Sequence, residues 1–284
     1  MNILLVNDDG IDAIGLRKLL QAINKEDDVY ICAPHTEQSA SGHGITIGKI
    51  VYIEDVEIEG ATAAIAMEGE PADCVKIGLE VYKDRGIEMD IVFAGFNHGM
   101  NLGTDTLYSG TVSAAIEGAL GGLPAVALSI SSNFKAHKEP AFFDVAMKTA
   151  EHALKLIKKS MSAKESGKEL SSSEFINQNH SIFNINIPDL PEEEVKGVKI
   201  VPLGYREYKE WFMSSVDENG RTGYHYSGRP LAPGEGTEDS SDIVANNLGY
   251  ITVTPLQFDF TNYRALDETK DEWKNALGEM NVRI

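Results

Sequence analysis

The sequence predicts an α/β fold built on a mostly parallel sheet, and three observations carry that prediction. Short apolar runs rich in branched residues recur at Ile3–Val6, in DVYICAP from Asp28 to Pro34, at Ile91–Ala94 and at Ala125–Ser131. Runs of this kind are strands buried on both faces. Between the first two, Leu16, Leu19, Leu20 and Ile23 recur at helical spacing. That gives strand, helix and strand in order, the start of a right-handed parallel unit. Polar loops leave the carboxyl ends of these strands, the edge where open α/β sheets bind ligands.

The remaining elements follow in order. A helix is expected from Ile14 to Lys25, with Arg17, Lys18 and Gln21 on its outer face. Ile45–Ile58 and Ala61–Met67 read as strands. Pro71 starts a helix whose apolar stripe is Cys74, Val75, Ile77, Gly78 and Val81. A helix from Val112 to Leu120 precedes the strand at Ala125, and Ala141–Lys159 is a long amphipathic helix. The polar stretch 160–179 reads as a surface connection. A strand at 181–187 resumes the core. From Val198 the pattern changes to strand-like runs at Val198–Val201, Tyr208–Val216 and Gly223–Tyr226, with Asn219-Gly220 as a hairpin signal. This arm carries Trp211, Phe212, Tyr224 and Tyr226 and cannot bury itself, so it packs on a second subunit or on the body. Leu248–Pro255 is a last strand and Asp271–Met280 a terminal helix. Two domains follow: a core at 1–197 and an extension at 198–284.

Composition excludes several classes. The chain has 284 residues and a net charge of -19, which argues against a nucleic-acid polymer as partner. A small anionic substrate remains open if a metal supplies local positive charge. Two cysteines, Cys32 and Cys74, lie inside apolar patterns and make no disulfide framework. No apolar run is long enough to span a membrane, and no signal-type segment is present. The expectation is a soluble, cytoplasmic protein without a membrane partner.

Four stretches converge on one sheet edge. The first strand breaks into Asn7, Asp8, Asp9 and Gly10. Adjacent carboxylates raise each other's pKa or demand a cation, although the same residues also serve as a solvated turn. The loop PHTEQSASGHG follows the second strand and carries Ser39 among small residues; a surface loop is the plainer alternative. Gly95–Thr111, GFNHGMNLGTDTLYSGT, holds Asn97 and Asn101 and ends in Ser109, Gly110 and Thr111 at a helix start. Unpaired N–H groups and hydroxyls there suit an anion, or Thr111 is an N-cap only. All these donors are oxygens, which favours Mg²⁺, Mn²⁺ or Ca²⁺ over Zn²⁺ or Cu²⁺. A hard cation beside an anion-binding helix start is what phosphoryl hydrolysis needs.

These motifs together, with GEPADCV at Gly69–Val75 and the late DIVANNLGYITVTPL, resemble the SurE family of survival-protein nucleotidases or acid phosphatases. The resemblance implies a Rossmann-like core with helices on both faces. It also implies a C-terminal hairpin arm and tail exchanged in a homodimer or homotetramer. The activity implied is that of a 5′-nucleotidase, a phosphomonoesterase acting on nucleoside 5′-monophosphates, with 3′ esters and short polyphosphate as further substrates. One divalent cation per subunit, Mg²⁺ or Mn²⁺ first and Ca²⁺ next, would lie on Asp8, Asp9, Ser39 and Asn97. Asn101, Ser109, Gly110 and Thr111 would surround the phosphate, and Asp242 would close the site. A water associated with the metal would attack phosphorus, with Asp8 or Asp9 assisting proton removal. The Ser39 loop lacks the basic residue that often precedes this serine in the family. His98 falls at a variable motif position and is expected at the rim.

Two rivals stand beside this reading. An aspartyl nucleophile is disfavoured because such enzymes usually separate their two aspartates by one residue. A non-catalytic nucleotide sensor is the other; the first strand-to-helix turn lacks G-x-G-x-x-G, which disfavours a dinucleotide.

Overall fold

The computed structural model describes residues 1–131, 141–165, 182–226, 229–230 and 240–278. The chain opens with β1 (Asn2–Val6), α1 (Ile14–Ile23) and β2 (Asp28–Pro34). Then come β3 (Ile53–Val56), β4 (Ala63–Met67), α2 (Pro71–Asp84), β5 (Ile91–His98), α3 (Gly110–Leu120) and β6 (Ala125–Ile130). The second half holds α4 (Phe143–Glu165), β7 (Ile182–Ile187), β8 (Val198–Ile200), β9 (Tyr208–Lys209), β10 (Phe212–Val216), β11 (Thr222–Tyr226) and β12 (Arg229–Pro230). It closes with α5 (Asp242–Asn247), β13 (Ile251–Leu256) and α6 (Tyr263–Gly278).

Nine strands form one sheet in the order β3-β4-β2-β1-β5-β6-β7-β13-β8. The pairings are parallel except β3 with β4 and β13 with β7. β1 shows why its sequence is a continuous apolar run. Ile3 and Leu5 join one buried cluster with Leu16 and Leu19 of α1 and Ala146 and Ala150 of α4. Leu4 and Val6 join the other with Cys74 and Val75 of α2 and Ala114 and Ala115 of α3. Alternate side chains point to opposite faces, so helices cover both. Cys32 and Cys74 are free and buried. Among the described residues no helix is long and apolar enough to cross a membrane.

The chain passes outward from β1 to β2 and on to β3 at the sheet edge, comes back to β4 between β3 and β2, then crosses to place β5 on the other side of β1. The crevice between β1 and β5 is therefore a topological switch point, where two loops diverge. At its C-terminal end β5 shifts register on β6 between Ala94 and Asn97. The irregularity prolongs the strand to His98, beyond the expected end at Ala94. A Cβ on Gly95 would lie 2.3 Å from the Leu128 carbonyl oxygen, so only glycine fits this approach.

Several boundaries differ from the sequence reading for local reasons. The strand expected from Ile45 begins only at Ile53, because Thr46 is drawn off by Asp73, to which its backbone N–H and hydroxyl both donate. The run Tyr208–Val216 breaks at Glu210, whose φ of 52° is left-handed and incompatible with a strand. α5 was not expected; Ser241 caps it by accepting from the Val244 N–H, and the last strand starts after it at Ile251. The helix expected from Asp271 begins at Tyr263. Of the connection expected at 160–179, residues 160–165 instead continue α4, with Ser160 buried, and 166–179 lie outside the described residues.

β10 and β11 form the expected hairpin, with Phe212 opposite Tyr226 and Val216 opposite Thr222. Its turn is closed by the Gly220 N–H donating to the Asp217 carbonyl. Every residue of both strands is exposed. β9 and β12 pair at the base of this arm.

Candidate active site

Asp8 and Asp9 leave the end of β1 at the switch point, and each is held differently. Asp8 is buried. Its Oδ1 accepts from the Thr111 hydroxyl at 2.7 Å and its Oδ2 from the Thr111 N–H at 3.1 Å. Asp9 accepts one bond at Oδ2, from the His98 N–H at 3.0 Å. Burial pushes the Asp8 carboxyl up from 3.8 to about 7, reinforced by the charge of Asp9 and opposed by the bonds from Thr111. Asp9 rises to about 6, again through burial, with the His98 N–H lowering it and Glu37 raising it. Among the described residues no Lys, Arg or His forms an ion pair with either aspartate.

The start of α3 explains how a carboxylate is kept at such depth. Ser109 is the N-cap, its oxygen accepting from the Val112 N–H at 3.1 Å. The Thr111 N–H, one of the unpaired donors of the first turn, goes to Asp8. The positive end of the helix thus already holds an anion, and that anion is Asp8. A Cβ on Gly110 would stand 2.9 Å from Asp8 Oδ2 and 2.9 Å from Pro71 Cγ. Glycine is what lets the helix start close on the carboxylate.

A cleft of about 780 Å³ opens above this floor. Of the residues anticipated for metal and phosphate, Asp8, Asp9, Ser39, Asn97, Asn101 and Ser109 line it. Gly110 and Thr111 do not; both are buried behind Asp8, and the two donors of Thr111 are spent on it. Asp242 also lies away from the cleft. It is fully buried and accepts from the N–H groups of Gly103, Gly204 and Ile243, which joins two loops to α5.

The cleft donors are preorganised. Asn97 donates its side-chain N–H to the Gly99 carbonyl at 2.8 Å, leaving its amide oxygen as the acceptor for a ligand. Asn101 sits in a buried amide network: its N–H donates to Asn186 Oδ1, its side chain to Ser129 Oγ, and its carbonyl accepts from Asn184 and Asn186. Ser39 is exposed, and its hydroxyl donates to Glu37. The Ser39 loop is pinned at its far end by His43, which bonds Glu117 of α3 at 2.7 Å, and by the Gly42 N–H on the Tyr108 carbonyl.

Residue reasoning passed over several of the cleft's walls. Glu37 stands two positions before Ser39 and lines the same space; its only signal is that it is the one acidic residue of that loop. Asp105, Tyr208, Trp211, Phe212 and Tyr226 also line it. The aromatics were visible in sequence, but nothing there folds the base of the arm over the switch point. His98 stands at the wall, as a rim residue would.

The donor set suits a hard divalent cation. A buried carboxylate, Asp8, and a half-buried one, Asp9, lack a cationic ion-pair partner among the described residues, and the same cleft offers the Ser39 hydroxyl and the Asn97 amide oxygen. Among the described residues no three His, Cys, Asp or Glu side chains cluster as metal ligands, so Ser39 and Asn97 would have to complete such a site.

Comparison with known proteins supplies the context. Residues 3–210 match the family model described as Survival protein SurE. The 5′-nucleotidase SurE of Petrotoga mobilis is 40% identical over 272 residues, covering 95% of this chain and 98% of that protein. That of Fervidobacterium nodosum is 38% identical, covering 94% of this chain and 95% of its own length. Among solved structures, the SurE protein from Aquifex aeolicus superposes with a TM-score of 0.74 at 31% identity, over 96% of this chain and all of that one.

Proposed function

Because the chain belongs to the SurE family, we propose that it is a 5′-nucleotidase, a phosphomonoesterase converting nucleoside 5′-monophosphates to nucleoside and phosphate. The observation that carries this reading is the pair at the floor of a nucleotide-sized cleft: Asp8, buried and clamped by the start of α3, and Asp9 beside it, half-buried and open to the cleft. Metal dependence is typical of the family. We assign the cation to Asp8, Asp9, Ser39 and Asn97, with Mg²⁺ or Mn²⁺ preferred for an all-oxygen set. When bound there, a divalent cation supplies neutralisation of phosphate charge and acidification of water.

The chain's own groups divide the remaining work. Both oxygens of Asp8 are committed to Thr111, so Asp8 is fixed in position and orients what it holds. Asp9 has one oxygen committed to the His98 N–H, which leaves Oδ1 to accept the proton of the attacking water. Asp8 cannot swing to attack phosphorus without breaking both bonds, which disfavours an aspartyl-phosphate route. The Ser109 hydroxyl accepts from Val112 and keeps its own hydrogen for a phosphate oxygen. The remaining side-chain N–H of Asn101 is a second donor. Neither Gly110 nor Thr111 binds phosphate directly in this scheme; they hold Asp8. The exposed arm suits self-association into a homodimer or homotetramer, and the protein acts in the cytoplasm.

The test is release of phosphate from a panel of nucleoside monophosphates with Mn²⁺, Mg²⁺ or EDTA. Release with a metal, its loss in EDTA and its loss in Asp9→Asn are expected. No release with any metal would overturn the enzymatic reading and leave the nucleotide sensor.

A further inference from the structure

The wall of the cleft facing the aspartates is aromatic, and the reaction described so far does not use it. Tyr208 and Trp211 stand 4.7 Å apart between ring centres and tilted by 44°. Trp211 and Tyr226 are 6.1 Å apart, and Phe212 meets Tyr226 edge-on at 5.9 Å. Tilted and edge-on contacts leave ring faces uncovered. Trp211 is 44% exposed, Tyr226 57% and Phe212 62%, a costly arrangement for neighbouring aromatics in water unless something flat covers them.

The wall is also held in place. Arg206 pairs with Asp105 at 2.9 Å, both half-buried, and the Tyr208 hydroxyl hydrogen-bonds to the same carboxylate. Arg206 is therefore committed beneath the platform and is not a free phosphate ligand. Aromatic residues farther along the arm, such as Tyr224, do not line the cleft. The base of the arm thus faces the aspartates, while its tip projects away.

We propose that Trp211, supported by Tyr208 and Tyr226, is the stacking platform for the nucleobase and sets the preference for nucleotides over baseless phosphate esters. This deepens the nucleotidase reading and rests on it. The occupant follows from continuity: one cleft joins the platform to the phosphate donors Asn101 and Ser109, so a phosphate held at the floor projects its ester substituent toward the rings. Selection by stacking tolerates every base, because every base has a π-face, and favours the larger purines.

The experiment compares kcat/KM for AMP, UMP and ribose 5-phosphate in the wild type, Trp211→Ala and Trp211→Phe, each with its oligomeric size recorded. The AMP advantage over ribose 5-phosphate is expected to collapse by about 10-fold in Trp211→Ala and to survive in Trp211→Phe. A second readout is independent of turnover. With Trp273 replaced by Phe, Trp211 is the sole tryptophan, and adenosine should quench its emission where ribose does not. Equal losses on AMP and ribose 5-phosphate, or emission that ignores adenosine and follows protein concentration, would overturn the platform and make the wall a self-association surface. A wild type active on all three esters without preference refutes the platform alone; one inactive on all three refutes the nucleotidase reading with it.

Discussion

Asp8 holds its proton more tightly in the folded chain than in the unfolded one. Its carboxyl moves from 3.8 to about 7. The sign follows directly: this group's contribution to stability is complete below about pH 4 and is lost as pH rises through about 7. Asp9 adds a change of the same sign centred near 6. In EDTA the melting temperature should therefore fall between pH 4 and pH 8. In Asp8→Asn, which carries no charge to bury, the fall should flatten, and the variant should exceed the wild type at pH 8 by an amount on the order of a few kcal/mol. Mn²⁺ should reverse the wild-type loss and leave the variant's curve unmoved. Equal melting curves for the two proteins across the range would show that Asp8 is not the strained group. Gly110→Ala tests the same carboxylate by packing. Its Cβ has no room beside Asp8 and Pro71, so kcat should fall at least about 10-fold with a stability cost of about 1–3 kcal/mol. Full activity in that variant would mean the clamp can relax freely.

At the level of elements, the site is a meeting of three chain turns and one helix start. The loop carrying Ser39 is exposed along much of its length and depends on anchors at its far end. His43 and Lys76 both converge on the buried Glu117 of α3, each at 2.7 Å. Removing His43 frees the loop and leaves Glu117 with one partner fewer. His43→Ala should raise the metal concentration needed for half-maximal activity and expose the loop to limited proteolysis. An unchanged cleavage pattern would show that the Gly42 bond to Tyr108 suffices. The same elements show what the sequence could reveal. β1, β2, β5 and β6 were legible because strands buried on two faces leave unbroken apolar runs. The carboxylates and amides at their ends could then be placed on one edge by topology alone. The direction of the Thr111 donors was not legible. A hydroxyl and an N–H at a helix start suit any anion, and only the packing of α3 against β1 makes that anion Asp8. The stretch 45–52 imitates a strand in its alternation of apolar residues, whereas Asp73 captures Thr46 first.

Over the whole molecule, a net charge of -19 surrounds a cleft meant for an anion. Glu37 and Asp105 stand in that cleft with Asp8 and Asp9, and the guanidinium of Arg206 is tied to Asp105. Among the described residues that line the cleft there is no Lys or Arg, so a bound cation is the expected source of neutralisation. The sheet's switch point between β1 and β5 places the site, and strands from beyond residue 197 complete the sheet. In the sequence the aromatic arm reads as packing on a second subunit or on the body. The structure divides it, with its base against the cleft and its tip in solvent. Deleting 212–226 should reduce the solution mass to that of a smaller assembly while the sheet's circular dichroism persists. An unchanged mass would remove the arm from assembly.

Whether Asp8 and Asp9 share one divalent cation is tested most directly by titration calorimetry with Mn²⁺ at neutral pH. One ion per chain is expected, with release of protons on binding because burial raises both carboxyls, Asp8 to about 7 and Asp9 to about 6, and with loss of the binding isotherm in Asp9→Asn. An unchanged isotherm in Asp9→Asn, or binding without proton release, would contradict the shared cation.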